Sequence, residues 1–322
     1  MKKSLIALAV LAATGAASAQ SSVTLYGLAD VWFGRTSETN QPTQTVLNSG
    51  GLSSSRWGIK GSEDLGGGLK ANFLLEQGFA LDTGAGTGFS RQSYVGLSGG
   101  FGEVKLGKVW TAFDDISGAA NPAFDANVLS PTSYAWKSIG YRANPGSTIY
   151  YGSNNYSGFS GAFSYSLGEN KTNALAASSD TSLHVKYEAG PLYAGFAYQV
   201  EKPQGAGNST KFTRLNATYD LGVAKLLGAY GKVKLGSMDT TEWSFGADYP
   251  VSKEFTLSGG FASSKDNTAK GNEKRTGLGL AGMYTLSKRT GVYGGFNSTK
   301  IDPNVGADTT MRTLAVGVKH TF

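Results

Sequence analysis

Val23-Thr24-Leu25-Tyr26-Gly27-Leu28-Ala29-Asp30-Val31-Trp32-Phe33 decides the fold of this chain. Val23, Leu25, Gly27, Ala29, Val31 and Phe33 share one parity, while Thr24, Tyr26, Asp30 and Trp32 share the other, which is the period-two pattern of a strand with an apolar and a polar face. The pattern returns at Phe159-Gly161-Phe163-Tyr165-Leu167, Leu192-Ala194-Phe196-Tyr198-Val200, Trp243-Phe245-Ala247-Tyr249, Phe255-Leu257-Gly259-Phe261 and Leu314-Val316-Val318. Helical spacing fits none of these.

Turn signals bound sixteen such segments, near 22–34, 53–63, 69–81, 89–98, 102–110, 147–155, 158–168, 180–189, 191–202, 211–220, 222–235, 240–249, 254–264, 274–285, 290–300 and 310–322. Very short connections, such as Gly99-Gly100-Phe101 and Gly190-Pro191, alternate with longer polar ones at 35–52, 169–179, 203–210 and 265–273. The segments approach the 9–11 residues that cross a bilayer at a tilt. Trp32, Trp57, Tyr94, Trp110, Tyr249 and Phe322 near the turns read as interfacial girdles. The expectation is an all-β, 16-stranded antiparallel up-and-down transmembrane barrel, a size that leaves an aqueous channel.

Met1-Lys2-Lys3, the apolar run Leu5 to Leu11 and Ala17-Ser18-Ala19 read as a secretory signal peptide over 1–19. Removing it leaves the barrel at 20–322 and lowers the net charge from +6 to +4, too small an excess to argue for nucleic acid. With no cysteine, disulfides play no part. Forty-six glycines, about twice the usual share, come without collagen's strict period.

The longest gap, 111–146, carries Phe113, Phe124, Tyr134, Trp136 and Tyr141, large groups that gain from packing. A gap of this length is expected to be functional, with a flap over the barrel mouth as the plainer reading. Its charges, Asp114, Asp115 and Asp125 against Lys137 and Arg142, nearly balance.

Parity assigns the wall charges. Trp57 and Ile59 should meet lipid, which turns Arg56 and Lys60 into the lumen as a positive pair. Asp30, Lys70, Glu76, Lys186 and Arg214 should also point inward, as should Glu188, Asp248 and Glu254. Arg91 shares the parity of Val95 and Leu97, so either a bulge turns it inward or it anchors at the interface.

Ser22-Val23-Thr24-Leu25-Tyr26-Gly27, Ser55-Arg56-Trp57-Gly58-Ile59-Lys60-Gly61-Ser62-Glu63-Asp64-Leu65-Gly66, Arg91-Gln92-Ser93-Tyr94-Val95-Gly96-Leu97 and the ending Gly317-Val318-Lys319-His320-Thr321-Phe322 resemble the general porins of β-proteobacteria. The resemblance covers the whole mature chain. It implies a homotrimer among outer-membrane lipids and lipopolysaccharide, a third loop folded into each lumen, and a pore that tends to favour small anions. Gly27 and Ala29 then suit close approach between barrels. Arg56 and Arg91 match the family's constriction motifs, and Arg142 stands where the family often carries another arginine. Asp114, Asp115 and Asp125 complete the expected constriction, and terminal Phe322 resembles the family's assembly signal.

The expected function is passive diffusion of small hydrophilic solutes and ions. The alternatives are a channel specific for phosphate or an organic acid and, further off, an outer-membrane barrel enzyme. His184 and His320 are the only histidines, so neither a metal site nor a cofactor is expected, and Asp114-Asp115 reads as a solvated pair.

Overall fold

The computed structural model describes residues 22–268 and 272–322, so the expected leader at 1–19 lies outside the described residues. Antiparallel strands run in chain order: β1 (Ser22–Glu38), β2 (Gln44–Ser49), β3 (Arg56–Gly66), β4 (Leu69–Gly78), β5 (Gln92–Gly99), β6 (Gly102–Lys108), β7 (Thr148–Gly152), β8 (Phe159–Leu167) and β9 (Ser179–Ala189). They continue through β10 (Leu192–Lys202), β11 (Thr210–Asp220), β12 (Lys225–Leu235), β13 (Met238–Pro250), β14 (Phe255–Asp266), β15 (Lys274–Thr285), β16 (Thr290–Asp302) and β17 (Thr309–Thr321). β17 pairs back on β1, with Val318 opposite Val31, and the sheet closes. Closure leaves no unpaired edge in hydrocarbon.

The seventeen segments fill sixteen wall positions, because β2 and β3 both pair with β1. Val46 lies opposite Gly34, and Ile59 opposite Leu25. The expected loop 35–52 is therefore mostly strand, and only 39–43 connect β1 to β2. On the long-loop side the join between β12 and β13 is just Gly236-Ser237, where Gly236 takes a φ of +58°.

Outward parity holds throughout: Leu25, Phe33, Val185, Leu215, Phe245, Leu280 and Val316 are all exposed. An apolar band of this extent suits hydrocarbon and not water. Three of the expected girdle aromatics face inward instead, among them Trp110, which lies at the start of the lumen loop under Arg91. Trp32 is 3 % exposed inside the barrel, and Tyr94 packs on a core of Val109, Ala112, Tyr150 and Ala162. Trp32 and Tyr94 have even parity, opposite to their lipid-facing neighbours Val31, Phe33 and Val95.

Gly27 is also not an open outward face. The Phe322 ring covers it, and the two residues exchange backbone hydrogen bonds of 3.0 Å in each direction. The apolar core of the molecule lies within the barrel, between its wall and residues 109–147.

Candidate functional site

Residues 109–147, the third long loop, run through the lumen and lie on the inner faces of β10 to β16. Phe113 and Ile116 pack on Ala197, Phe212 and Val233. Ala120, Ala135 and Trp136 pack on Ala229 and Ala262, while Ala123, Ala126 and Leu129 pack on Trp32, Ala281, Tyr293 and Ala315. Glycines in the wall allow the approach. A Cβ at Gly246 or Gly260 would come within 2.7 Å of Pro122, and one at Gly277 or Gly279 within 2.5 Å of the backbone of residues 129–131.

Polar clamps complete the seat. Arg214, 1 % exposed, donates to Ser117 O at 2.8 Å and to Ser138 Oγ at 2.7 Å, with its guanidinium 4.1 Å from the Trp136 ring. Glu242 accepts from the backbone N–H groups of Lys137 and Ser138. At the tip, Ala123, Phe124 and Asp125 take φ values of +55°, +62° and +51°, a left-handed turn without glycine. Such residues cost roughly 1–2 kcal/mol each and persist only where packing holds them.

The chain between β2 and β3 also leaves the wall. Asp30, fully buried, accepts from the N–H groups of Gly51 (2.9 Å), Leu52 (3.1 Å) and Ser53 (2.9 Å) and from the Tyr293 hydroxyl (2.6 Å). The excursion in turn meets the loop tip, where Val128 N donates to Gly51 O at 3.2 Å.

Facing the lumen from β3 to β5 is a basic group. Glu76 carries Arg91 at 2.8 Å and Arg56 at 3.5 Å, and it accepts from the Tyr26 hydroxyl at 2.9 Å. Two guanidiniums share one carboxylate, so the group keeps a positive excess. Arg91 precedes β5, so strand parity does not govern it. It lies over the Trp110 ring at 5.1 Å, which settles its direction without a bulge.

Lys60 does not pair with Arg56. Four residues further along β3, it emerges about 13 Å away, beyond the Debye length of ~8 Å. It sits instead 5.2 Å from the Tyr26 ring.

The loop presents its carboxylates to the remaining space, a cavity of 530 Å³ bordered by Asp114, Asp115, Asp125 and Tyr141. Desolvation inside the barrel pushes all three carboxyls up. It takes Asp114 to about 6, against the Tyr141 hydrogen bond and the pull of Arg91. Asp115 rises to about 7, against Tyr150 and Lys105, and Asp125 to about 6, against Asn121 and Arg214. The adjacent pair diverges, with Asp114 accepting from Tyr141 (2.5 Å) and Asp115 from Tyr150 (2.7 Å).

Other expected site residues lie elsewhere. Arg142 ends the loop bound to Asp180 at 2.8 Å and Glu201 at 3.3 Å, so two carboxylates neutralise it. Asp30 and Arg214 point inward as parity requires, but the excursion and the loop bury them, Arg214 within the wall of the 530 Å³ cavity. Lys70 lies exposed near the short-turn end, and Lys186 pairs there with Glu188 at 3.6 Å. Asp248 accepts from Ser258, and Glu254 lies in the turn after β13.

Glu242, Asp180, Glu201, Lys105 and Lys319 went unmarked in the sequence. Parity reaches several of them: Glu242 opposes the outward Trp243 and Phe245, Lys105 opposes Leu106, and Lys319 opposes Val318.

A family model described as Gram-negative porin matches residues 5–304. Outer membrane porin protein 32 of Delftia acidovorans is 35 % identical over 357 aligned residues that span all of both chains. Major outer membrane protein P.IB of Neisseria sicca is 30 % identical over 371 residues, again across all of both. Among solved structures, an anion-selective porin from Comamonas acidovorans superposes with a TM-score of 0.80 at 28 % identity, covering 94 % of this chain and all of its own. A sequence match over nearly the whole length, on a closed sixteen-position barrel narrowed by its third loop, places this chain in the Gram-negative porin family, as a channel of the outer membrane.

Proposed function

We propose that the channel passes small hydrophilic solutes and ions by passive diffusion with a weak preference for anions. The observation that carries this is the pair Arg56 and Arg91 sharing the single carboxylate of Glu76, while burial partly suppresses the charge of Asp114, on which Arg91 acts, and of Asp115. Burial raises Asp114, Asp115 and Asp125 toward neutral pH, so part of the loop's negative charge is suppressed there. The acidic side is then weakened while the arginines stay fully charged. In a narrow passage with low-dielectric walls, the residual positive field favours anion entry. The structural neighbour described as anion-selective supports the same sign.

The proposal includes a homotrimer among outer-membrane lipids and lipopolysaccharide, exported by a leader at 1–19. A trimer form is described for OmpT of Vibrio cholerae, which shares this fold at a TM-score of 0.71 and 18 % identity. The test is the reversal potential of the purified protein in a KCl gradient across a planar bilayer. A potential on the chloride side that shrinks toward zero as salt rises supports the reading; a cation-side potential at neutral pH overturns it.

A further inference from the structure

A second polar cavity, of 340 Å³, lies in the lumen on the inner faces of β1 and β3 to β6, between the arginine pair and the short-turn end. Lys60, Lys105, Asn72, Thr24, Ser62 and Ser98 line it. Its size is that of a site for a small solute. Nothing in the conduction mechanism above uses it.

Two features define what would fit. The first is charge. Lys60 makes no ion pair among the described residues, and Lys105 is bridged to Glu103 at 2.6 Å, so the cavity carries one uncompensated ammonium. The second is a dense set of groups that both donate and accept. Asn72 Nδ2 donates to Ser98 Oγ at 2.8 Å, which fixes the amide and leaves its carbonyl oxygen free for a donor. The hydroxyls of Thr24 and Ser62 lie alongside on neighbouring strands, where Thr24 pairs with Lys60 and Ser22 with Ser62.

A neutral sugar ring is disfavoured by the aromatic faces. The Tyr26 ring is capped by Lys60 at 5.2 Å, and Lys105 stands 5.5 Å from the Tyr94 ring and 4.8 Å from the Tyr150 ring. Of these rings it is Tyr94 that lines the cavity, and there the Lys105 ammonium occupies the surface on which a pyranose would stack. What remains is a cationic point beside an array of hydroxyl and amide groups.

We infer that this cavity is a subsite for a small open-chain hydroxylated carboxylate, a sugar acid, with its carboxylate at Lys60 and its hydroxyls on Asn72, Ser62 and Ser98. The inference rests on the channel reading above and adds a solute class to it. A site built to bond hydroxyls discriminates strongly against an analogue without them, because its own polar groups would be left unpaired.

The experiment is ion-current block in KCl on the purified full-length channel, with gluconate, propionate and sorbitol added separately. Gluconate should reduce the current saturably, with a half-blocking concentration at least roughly tenfold below that of either comparison solute. Asn72→Ala should raise that concentration about tenfold, whereas Lys70→Gln, at the rim outside the cavity, should change it less than about twofold. Propionate blocking as well as gluconate would overturn hydroxyl recognition, and sorbitol blocking as well would overturn the carboxylate anchor. Equal block in Asn72→Ala would overturn the location. Absence of any KCl conductance would instead overturn the channel reading itself, which the unblocked current measures independently.

Discussion

Arg56→Glu should turn the pore toward cations by an amount the geometry sets. The side chain is 29 % exposed, so part of its field reaches lumen water, and Glu76 keeps Arg91 and Tyr26 after the change. The fixed charge falls by two units. An ion passing about 7 Å away in water feels ~0.6 kcal/mol per unit charge before screening, and ~0.25 kcal/mol at physiological salt.

The substitution therefore shifts each ion by about 0.5 kcal/mol, in opposite directions for chloride and potassium. The permeability ratio should move roughly fivefold toward potassium. In 1 M salt, where the Debye length is ~3 Å, the same change should give only about 1.5-fold. Arg56→Gln removes one unit and should give about twofold at physiological salt. Reversal potentials in matched KCl gradients at the two ionic strengths read all three values, with Lys202→Glu, at the exposed end of β10, as the remote control. An unchanged ratio in correctly folded Arg56→Glu, or a shift of equal size in 1 M salt, would refute the idea that Arg56 acts through its field on the permeating ion.

Lowering the pH from 8 to 5 passes through the raised ranges of Asp114, Asp115 and Asp125, so the loop loses negative charge while the arginines keep theirs. Anion preference should therefore rise as pH falls, and reversal potentials of the triple Asn variant should show far less pH dependence. Arg214→Met removes two charge-assisted bonds and leaves Glu242 without its buried partner, a loss on the order of 3–5 kcal/mol. Its single-channel currents should be larger and noisier, and quiet wild-type currents would mean the other anchors suffice. Deleting Phe322 removes the ring that covers Gly27 and should lower the heat-modifiable folded protein recovered in outer membranes; undiminished recovery would sink its assembly role.

The wall was legible because lipid imposes a rule on every second residue. β15, expected at 274–285, is found at Lys274–Thr285, and β9, β10 and β11 fall within a residue of expectation. Where the rule lapses, so does the reading. Gln44–Ser49 lies where no apolar outer face is demanded, and its Gln-Thr-Val-Leu-Asn-Ser sequence gives no strand period. The loop announced itself by length and aromatic content, while its path through the lumen came only from family resemblance.

Parity gives the face of a side chain and says nothing about what covers it. Asp30 and Arg214 read as pore charges for that reason, though both are buried. The glycine seats were unreadable because Gly246 and Gly260 answer to Pro122, more than a hundred residues away. Arg142 could not be resolved either, since its carboxylates stand on two strands whose meeting with the loop no local pattern encodes.

The excursion between β2 and β3 has a consequence for the order of assembly. It touches the loop tip near residue 128, and Asp30 of β1, which holds it, is joined to Tyr293 across 263 positions of sequence. The contacts that narrow the passage thus draw on both ends of the chain, and closing so long a span is slow relative to neighbouring hairpins. The wall can zip strand by strand, but the interior loop gains its full set of contacts only when β16 and β17 arrive. The tube is complete before its waist is, and the narrowing is the last dimension of the molecule to be set.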